Sequence, residues 1–401
     1  MLLGAAAMAA PAAATEVRWP AEVLKIGTPG DYAPYAWFDP ASGTYLGSDI
    51  SMARALAQRL GLTPEFVQTS WSTLVADAAA GRFDIAVGGI SITAERQRVV
   101  EFSKPYATDR KQPVVRCGEE RRFDTQEEIN RQPVRLVVNP GGTNERFSRE
   151  HFPAATLTVH ADNRTVFEEI RSGRADVMVT DSVEGRLQQR TLQGLCVAPV
   201  RARWAPASKA ILVAAGAVTR QDVDGALASL GPGRIRNQMR EWEGYNWSAQ
   251  DSAATRLAAL IDDRLGVVVD VARAKWNLQA AIEDPARERE SLLALRGRAA
   301  ATGIPAEVVG AFFGAQIRAA KILQQELFTQ WRKRRQPPFA YVKDLTRDIR
   351  PEIDRINAQM LATLALHSGS NSRLPAASTF SLASPAALKA ARAGLSAKTG
   401  N

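Results

Sequence analysis

The sequence predicts a two-lobed α/β domain followed by an all-α domain, and three observations carry that expectation. From Val23 to about Trp247, short apolar runs alternate with amphipathic helical stretches, the pattern of a doubly wound sheet. The alternation restarts after Lys111–Arg116, so two lobes with a cleft between them are expected. From Arg256 to about Leu366 apolar residues recur at helical spacing and no strand pattern is visible.

The chain opens on an alanine-rich apolar run, Met1 to Ala14, with polar sequence from Thr15. Its end, Ala12-Ala13-Ala14, has the form of an export-signal cleavage site, but the run lacks a basic start; a disordered terminus is the competing reading. Residues 1–19 are assigned to this segment. Val23–Gly27 reads as a strand entering a turn. Asp49–Leu60 follows as an amphipathic helix capped by Ser48 or Asp49 and stopped by Gly61. A strand near Glu65–Gln68, a helix from Ser72 to Ala80 and a strand Asp84–Val87 continue the first lobe. The second lobe holds Val134–Val138, a helix around Glu145–Glu150, Thr156–Val159, a helix over Asn163–Ser172 and Val177–Val179. Ala210–Ala214 and a helix over 221–241 return the chain to the first lobe. The α/β domain is thus placed at 20–247, with lobe 1 near 20–112 and 200–247 and lobe 2 near 113–199. A polar linker, 248–255, leads to helices beginning at Leu257-Leu260-Ile261-Leu265-Val268 and continuing at 286–300, 306–331 and 343–366. The Ser/Ala-rich tail, 367–401, is expected to be mobile, with helix-forming composition at Pro385–Leu395.

At 401 residues and 45% hydrophobic, the chain can bury more than one core. No segment has the length of a membrane span. Acidic and basic residues balance over 1–251, so the net charge of +9 lies downstream. The basic residues are not interleaved with aromatics, which favours small anionic ligands over nucleic acid. Cys117 and Cys196 form an even pair, which an oxidising compartment would join; two free buried thiols are the alternative.

Chemistry concentrates at loops. Arg174–Glu184 is a short apolar strand that delivers Asp181 and Glu184 at its carboxyl end, where open α/β sheets place ligands. Gly88–Arg96 and Asn139–Glu145 are glycine-rich turns from strand to helix, suited to holding a carboxylate with free N–H groups and with the Arg96 guanidinium. A solvated helix-start carboxylate is the bland reading of Glu184. In the helical region Arg264 and Lys275 are three turns apart and share a face. Asp284 and Pro285 open a helix as N-cap and first residue. Arg287 then sits in a first turn, where the helix dipole disfavours a cation and a ligand would explain it.

The first domain resembles periplasmic solute-binding proteins for polar amino acids, and within them the cyclohexadienyl dehydratases. The matching segments are Gly30-Asp31-Tyr32, Thr69-Ser70-Trp71, Gly89–Thr93 with Glu95–Arg98, Asn139–Glu145, and Thr180-Asp181 with Glu184. The resemblance implies a type II binding-protein fold in which Ser91, Arg96 and Thr143 hold a substrate carboxylate and Trp71 joins the binding set. Asp181 takes the place that grips an α-amino group. Glu184 is implied as the general acid, positioned by Tyr32 and Asn139, and Cys117 with Cys196 as the family's paired cysteines. The implied reaction converts prephenate to phenylpyruvate, or arogenate to phenylalanine, in an exported, periplasmic setting.

The second domain resembles the all-helical chorismate mutases of the secreted subclass, through Asp263-Arg264-Leu265, Ala274-Lys275-Trp276, Ile282–Pro285 with Arg287-Glu288, Gln316–Lys321 with Gln324, and Arg350 with Ile353-Asp354 and Asn357. That resemblance implies that Arg264, Arg287 and Arg350 bind the carboxylates of chorismate, that Lys275 and Gln324 hydrogen-bond its ether oxygen, and that Asp284 orients Lys275. Neither activity calls for a metal or cofactor. Ala320 stands where the family commonly has Ser, Thr or Asn, and the chain after Arg350 is short for the subclass, so a homo-oligomer is expected to complete the pocket. The competing function is a transport protein with a helical docking domain.

Overall fold

The computed structural model describes residues 23–40, 43–202, 204–243, 252–299, 302–339, 342–367 and 385–393. The expected export segment, 1–19, and the 248–251 part of the expected linker lie outside the described residues, while 252–255 are already helical. No helix among the described residues is long and apolar enough to cross a membrane.

Lobe 1 holds a five-stranded sheet in the order Thr63–Gln68, Val23–Thr28, Ile85–Ala86, Leu212–Val213, Glu101–Phe102. The first three are parallel, and Leu212–Val213 returns antiparallel to both neighbours. Leu24, Ile26 and Ile85 pack with Ile50 and Leu56 of the Ser48–Leu60 helix. Lobe 2 repeats the plan in the order Thr156–Val159, Arg135–Val138, Val177–Asp181, Lys111–Arg116, Leu195–Val197. Its central strand, Val177–Asp181, is buried along its whole length, which accounts for its unbroken apolar run. The antiparallel neighbour sets Lys111 opposite Asp181. Cys117 and Cys196 are joined by a disulfide. Between the lobes, Ala107–Asp109 pairs with Ala207–Lys209 in a two-stranded ribbon.

Several expected boundaries shift for local reasons. Gly47, rather than Ser48 or Asp49, caps the Ser48–Leu60 helix, with φ of 124°. A Cβ at Gly47 would lie 2.3 Å from the Tyr35 carbonyl oxygen. Asp49 has another duty: its carboxylate accepts the N–H groups of Gly88 at 3.0 Å and Gly89 at 2.7 Å, pinning a cleft loop. The helix expected over 221–241 is two, Arg220–Leu230 and Pro232–Glu243, because Gly231 adopts φ of 84° and Pro232 starts afresh. The helix expected from 343 begins at Arg350, after a π-helical turn at Leu345–Ile349.

The helical domain consists of Ser252–Asn277, Pro285–Ala299, Ala306–Lys333 and Arg350–His367, packed around Leu257, Leu260, Leu265, Phe312, Leu323 and Met360. Part of the tail expected to be mobile is docked here. The Pro385–Ala393 helix lies against Ala306–Lys333, with Ala387 and Ala391 fully buried. Gln316 Nε2 donates to the Ala391 carbonyl at 2.6 Å. Alanines four residues apart give that helix a flat face for close approach. The helical domain also grips lobe 1: Arg54 pairs with Asp263 at 2.8 Å, and Arg256 with Asp39.

Candidate active sites

The cleft between the lobes is lined by Tyr32, Trp71, Ser91, Arg96, Asn139, Thr143, Asp181 and Glu184, together with Asn144, Asn163 and Lys209. It encloses only about 20 Å³, so the lobes must part to admit a substrate. They meet closely at Gly141, where an added Cβ would lie 2.6 Å from Ser72 Cα. Asn163 Nδ2 donates across the cleft to the Asp31 carbonyl at 3.0 Å. Trp71 stands edge-on to Tyr32 at 5.8 Å and is fixed by an Nε1 hydrogen bond to Asp31.

Arg96 is 7% exposed and donates through Nη1 to the Ser91 carbonyl at 2.9 Å. Thr93 caps its short helix by accepting from Arg96 N. Burial pushes the guanidinium down to about 10, still charged at neutral pH, and among the described residues no carboxylate pairs with it. A buried cation without a paired carboxylate has the chemistry to hold an anion.

The two carboxylates at the end of Val177–Asp181 differ sharply. Asp181 is held by Lys111 Nζ at 2.9 Å, Lys209 Nζ at 2.5 Å and Tyr32 Oη at 2.6 Å. Burial, the largest influence, acts upward, but Lys111, Lys209 and the Tyr32 hydroxyl together keep it well below the usual carboxylate range. The expected partner of Asp181 was an α-amino group; its partners in the structure are lysines of this chain. Glu184, in the first turn of the Ser182–Thr191 helix, is 3% exposed and accepts a hydrogen bond from the Thr180 hydroxyl. Burial pushes its carboxyl up to about 8; the Thr180 bond and Lys111 act against the shift, and Asp181 adds to it. Glu184 is therefore protonated at neutral pH beside an ionised neighbour. Asn139 and Tyr32 reach it indirectly. Asn144 Nδ2 donates to both Asn139 Oδ1 and Thr180 Oγ1, and Tyr32 bonds to Asp181.

Lys111 and Lys209 escaped the sequence reading, and Asn144 and Thr180, though inside the matching segments, had no role assigned. Lys111 owes its place to strand register, opposite Asp181. Lys209 lies on the ribbon between the lobes, bridges to the backbone of Ser91 and donates to its Oγ at 2.9 Å. Neither relation is visible along one sequence.

A second cavity, of about 170 Å³, lies inside the helical domain and brings together Arg264, Lys275, Asp284, Arg287, Gln324 and Arg350. Arg264 is 7% exposed, donates to Asn357 Oδ1 and to the Gln316 carbonyl, both at 3.1 Å, and is pushed down to about 10 by burial. Asp284 caps the Pro285–Ala299 helix by accepting from Arg287 N at 3.1 Å. Lys275 Nζ donates to the Ile282 carbonyl at 2.7 Å. Burial lowers that ammonium, and the Asp284 charge acts against the shift. So Asp284 influences Lys275 through its field, while the hydrogen bond goes to Ile282. Arg287 pairs with Glu290 at the rim, and Arg350 donates to Thr346 Oγ1. Gln324 Nε2 donates to the Ala320 carbonyl, and its Oε1 has no partner. The amide nitrogen carries two N–H groups, so the bond to Ala320 leaves a second for a ligand oxygen. Ala320 lines the cavity with a methyl group only.

Comparison with known proteins agrees with this division. Residues 24–230 match the bacterial extracellular solute-binding proteins, family 3, and residues 251–325 match chorismate mutase type II. The chain is 43% identical over 226 residues to a cyclohexadienyl dehydratase of Pseudomonas aeruginosa, covering 56% of this chain and 84% of that one. Among solved structures it is similar to an ancestral amino acid-binding protein, a precursor of cyclohexadienyl dehydratase, with TM-score 0.51 and 30% identity over 55% of this chain and 95% of that one. An arginine-bound transporter substrate-binding protein from Streptococcus pneumoniae shares the fold at TM-score 0.52 and 20% identity, over 56% of this chain and 95% of that one.

Proposed function

We infer the function from one premise: over residues 24–230 this chain belongs to the bacterial extracellular solute-binding proteins, family 3, and a chorismate mutase type II domain follows on the same chain. The protein is a bifunctional enzyme of phenylalanine biosynthesis, a chorismate mutase joined to a cyclohexadienyl dehydratase. The helical domain turns chorismate into prephenate, and the two-lobed domain turns prephenate into phenylpyruvate, or arogenate into phenylalanine.

The observation that carries the second step is Glu184, a buried carboxyl still protonated at neutral pH in a closing cleft. In that step the ring carboxylate leaves as carbon dioxide, its bonding electrons pass into the ring, and the departing hydroxyl takes the Glu184 proton and leaves as water. Aromatisation drives the change, so the protein supplies a proton and excludes solvent. Arg96 and Ser91 from lobe 1 and Thr143 from lobe 2 bind substrate carboxylate, with Lys111 and Lys209 adding positive charge that Asp181 holds in place. The rate should fall as pH rises through about 8, where Glu184 loses its proton. A pH–rate profile for prephenate checks this, and a flat profile to pH 9.5, roughly 1.5 units above that point, overturns it.

For the first step, Arg264, Arg287 and Arg350 hold the two carboxylates of chorismate in the compact conformer. Lys275 and Gln324 donate to the ether oxygen, on which negative charge grows as the C–O bond breaks and the C–C bond forms. Arg287→Ala should stop chorismate consumption, a loss of about 10²-fold or more, and spare the dehydratase. Unchanged mutase kinetics would remove Arg287 from the pocket.

Export to the periplasm belongs to this proposal, supported by the extracellular family and the Cys117–Cys196 disulfide. So does a homo-oligomer, to be measured by sedimentation, although the mutase cavity is already lined by side chains of one chain. The decisive experiment mixes the full chain with chorismate and follows phenylpyruvate. Tight amino-acid binding without turnover would instead favour a solute-binding protein.

A further inference from the structure

Glu184 is aimed by the helical turn that carries it, and that turn is not capped by its own neighbour. Asp181 occupies the N-cap position of the Ser182–Thr191 helix, but its side chain makes no capping bond there. Its carboxylate is turned to Lys111, Lys209 and Tyr32 instead. The free N–H groups of a first turn ordinarily fall to the N-cap side chain. Here they go to Asp109, 73 residues earlier in the chain.

Asp109 ends the Ala107–Asp109 strand of the ribbon between the lobes, opposite Ala207, and is buried. Its Oδ1 accepts from Ser182 N at 3.1 Å and from Ser182 Oγ at 2.5 Å, and its Oδ2 accepts from Val183 N at 3.3 Å. Arg110 N donates to the same Oδ1 at 2.7 Å, and Ser182 N is shared with the Arg110 carbonyl at 2.8 Å. Glu184 is the next residue. The other strand of the ribbon ends at Lys209, and Lys111 follows Asp109 by two residues; both are held to Asp181. One crossing element thus grips the turn of the acid at Asp181, Ser182 and Val183. The Thr180 hydroxyl touches Glu184 only at the far end of its side chain. A glutamate turns about several bonds, so a fixed direction for its carboxyl also needs a fixed backbone. Val183, in the same turn, packs against Tyr32 and Tyr35 of lobe 1, so a loosened turn would shift at the seam between the lobes.

We propose that Asp109 is a positioning residue of the dehydratase step: from the ribbon between the lobes, its carboxylate locks the first turn of the Ser182–Thr191 helix so that the Glu184 carboxyl points at the departing hydroxyl. This rests on the reading of Glu184 as the general acid. A cap that served the fold alone would lower the Tm when removed and leave the turnover of folded protein untouched. A positioning group lowers turnover itself and leaves substrate binding to Arg96, Ser91 and Thr143.

The test is steady-state kinetics of the full chain with prephenate. Asp109→Ala should lower kcat about 10²-fold, the cost of misplacing a reacting group by about 1 Å, with KM within about three-fold of the parent. Asp109→Asn keeps one of the two acceptor oxygens, so it should lose only about ten-fold in kcat. Added to Glu184→Gln, Asp109→Ala should cost less than about three-fold more, because no acid is left to aim. Chorismate consumption should be unchanged in every variant. Parental kcat in Asp109→Ala, a raised KM in place of a lowered kcat, or an equal further loss in the Glu184→Gln background overturns the assignment. If Asp109→Ala does not fold, Asp109→Asn decides: parental kcat overturns the assignment, and a lowered kcat at parental KM supports it. Turnover surviving in Glu184→Gln overturns the acid and this inference with it. An inactive Glu184→Gln beside a fully active Asp109→Ala overturns this inference alone.

Discussion

Glu184→Gln abolishes phenylpyruvate formation from prephenate, with kcat falling about 10²–10⁴-fold, and leaves chorismate consumption intact. The amide has the shape of the acid and its oxygen still accepts from the Thr180 hydroxyl, so the cleft should close as before. What it lacks is a proton of suitable acidity for the departing hydroxyl. The wild-type residue has one at neutral pH because burial penalises its charged form, the opposite of the balance at Asp181, where two ammonium groups outweigh the same penalty. Separate assays with prephenate and chorismate distinguish a lost acid from a misfolded chain. Comparable dehydratase turnover in the variant would sink the assignment.

Arg264→Met removes about 10²–10³-fold of the mutase kcat/KM and spares the dehydratase. The guanidinium is buried, held by a neutral amide and a carbonyl, and no carboxylate pairs with it among the described residues. Such a cation costs folding energy unless an anion arrives, and burial already lowers it to about 10. Methionine retains much of the packing and relieves that cost, so the variant should melt no lower than the parent. Loss of activity with an unchanged or raised Tm identifies a binding residue. A large fall in Tm would mean that Arg264 serves the fold.

Legibility in the sequence followed the range of the interaction. Val177–Val179 is apolar without interruption because both faces of the strand are covered, so its role and the carboxylates at its end could be read directly. The Asp284-Pro285 start is a local signal, and Asp284 does accept from Arg287 N. Helical spacing exposed Leu257, Leu260 and Leu265 as core. Lys111 and Lys209 were opaque because their importance arises from pairings with distant segments, Lys111 with Asp181 across 70 residues and Lys209 with Ser91 across 118. Asp49 shows the same limit from the other side. It has the chemistry of a helix cap, yet it serves two backbone N–H groups near Gly88, and a glycine takes the cap because a side chain would collide with Tyr35. The Gly231-Pro232 break, in contrast, was legible in principle; the apolar spacing on either side disguised it.

The contact at Gly141 sets the tolerance of the dehydratase chamber. With φ of 72° and Ser72 pressed against the position a side chain would occupy, the seam between the lobes is thinner than one methyl group. Any larger residue would act as a wedge, leaving a slit through which solvent could reach the substrate and hydrate the Glu184 carboxyl. Its acidity would then drift back toward that of an ordinary glutamate. The loop that presents itself as an anion cradle is therefore also a gasket, and the fit of a single hydrogen atom there guards the proton on which the chemistry depends.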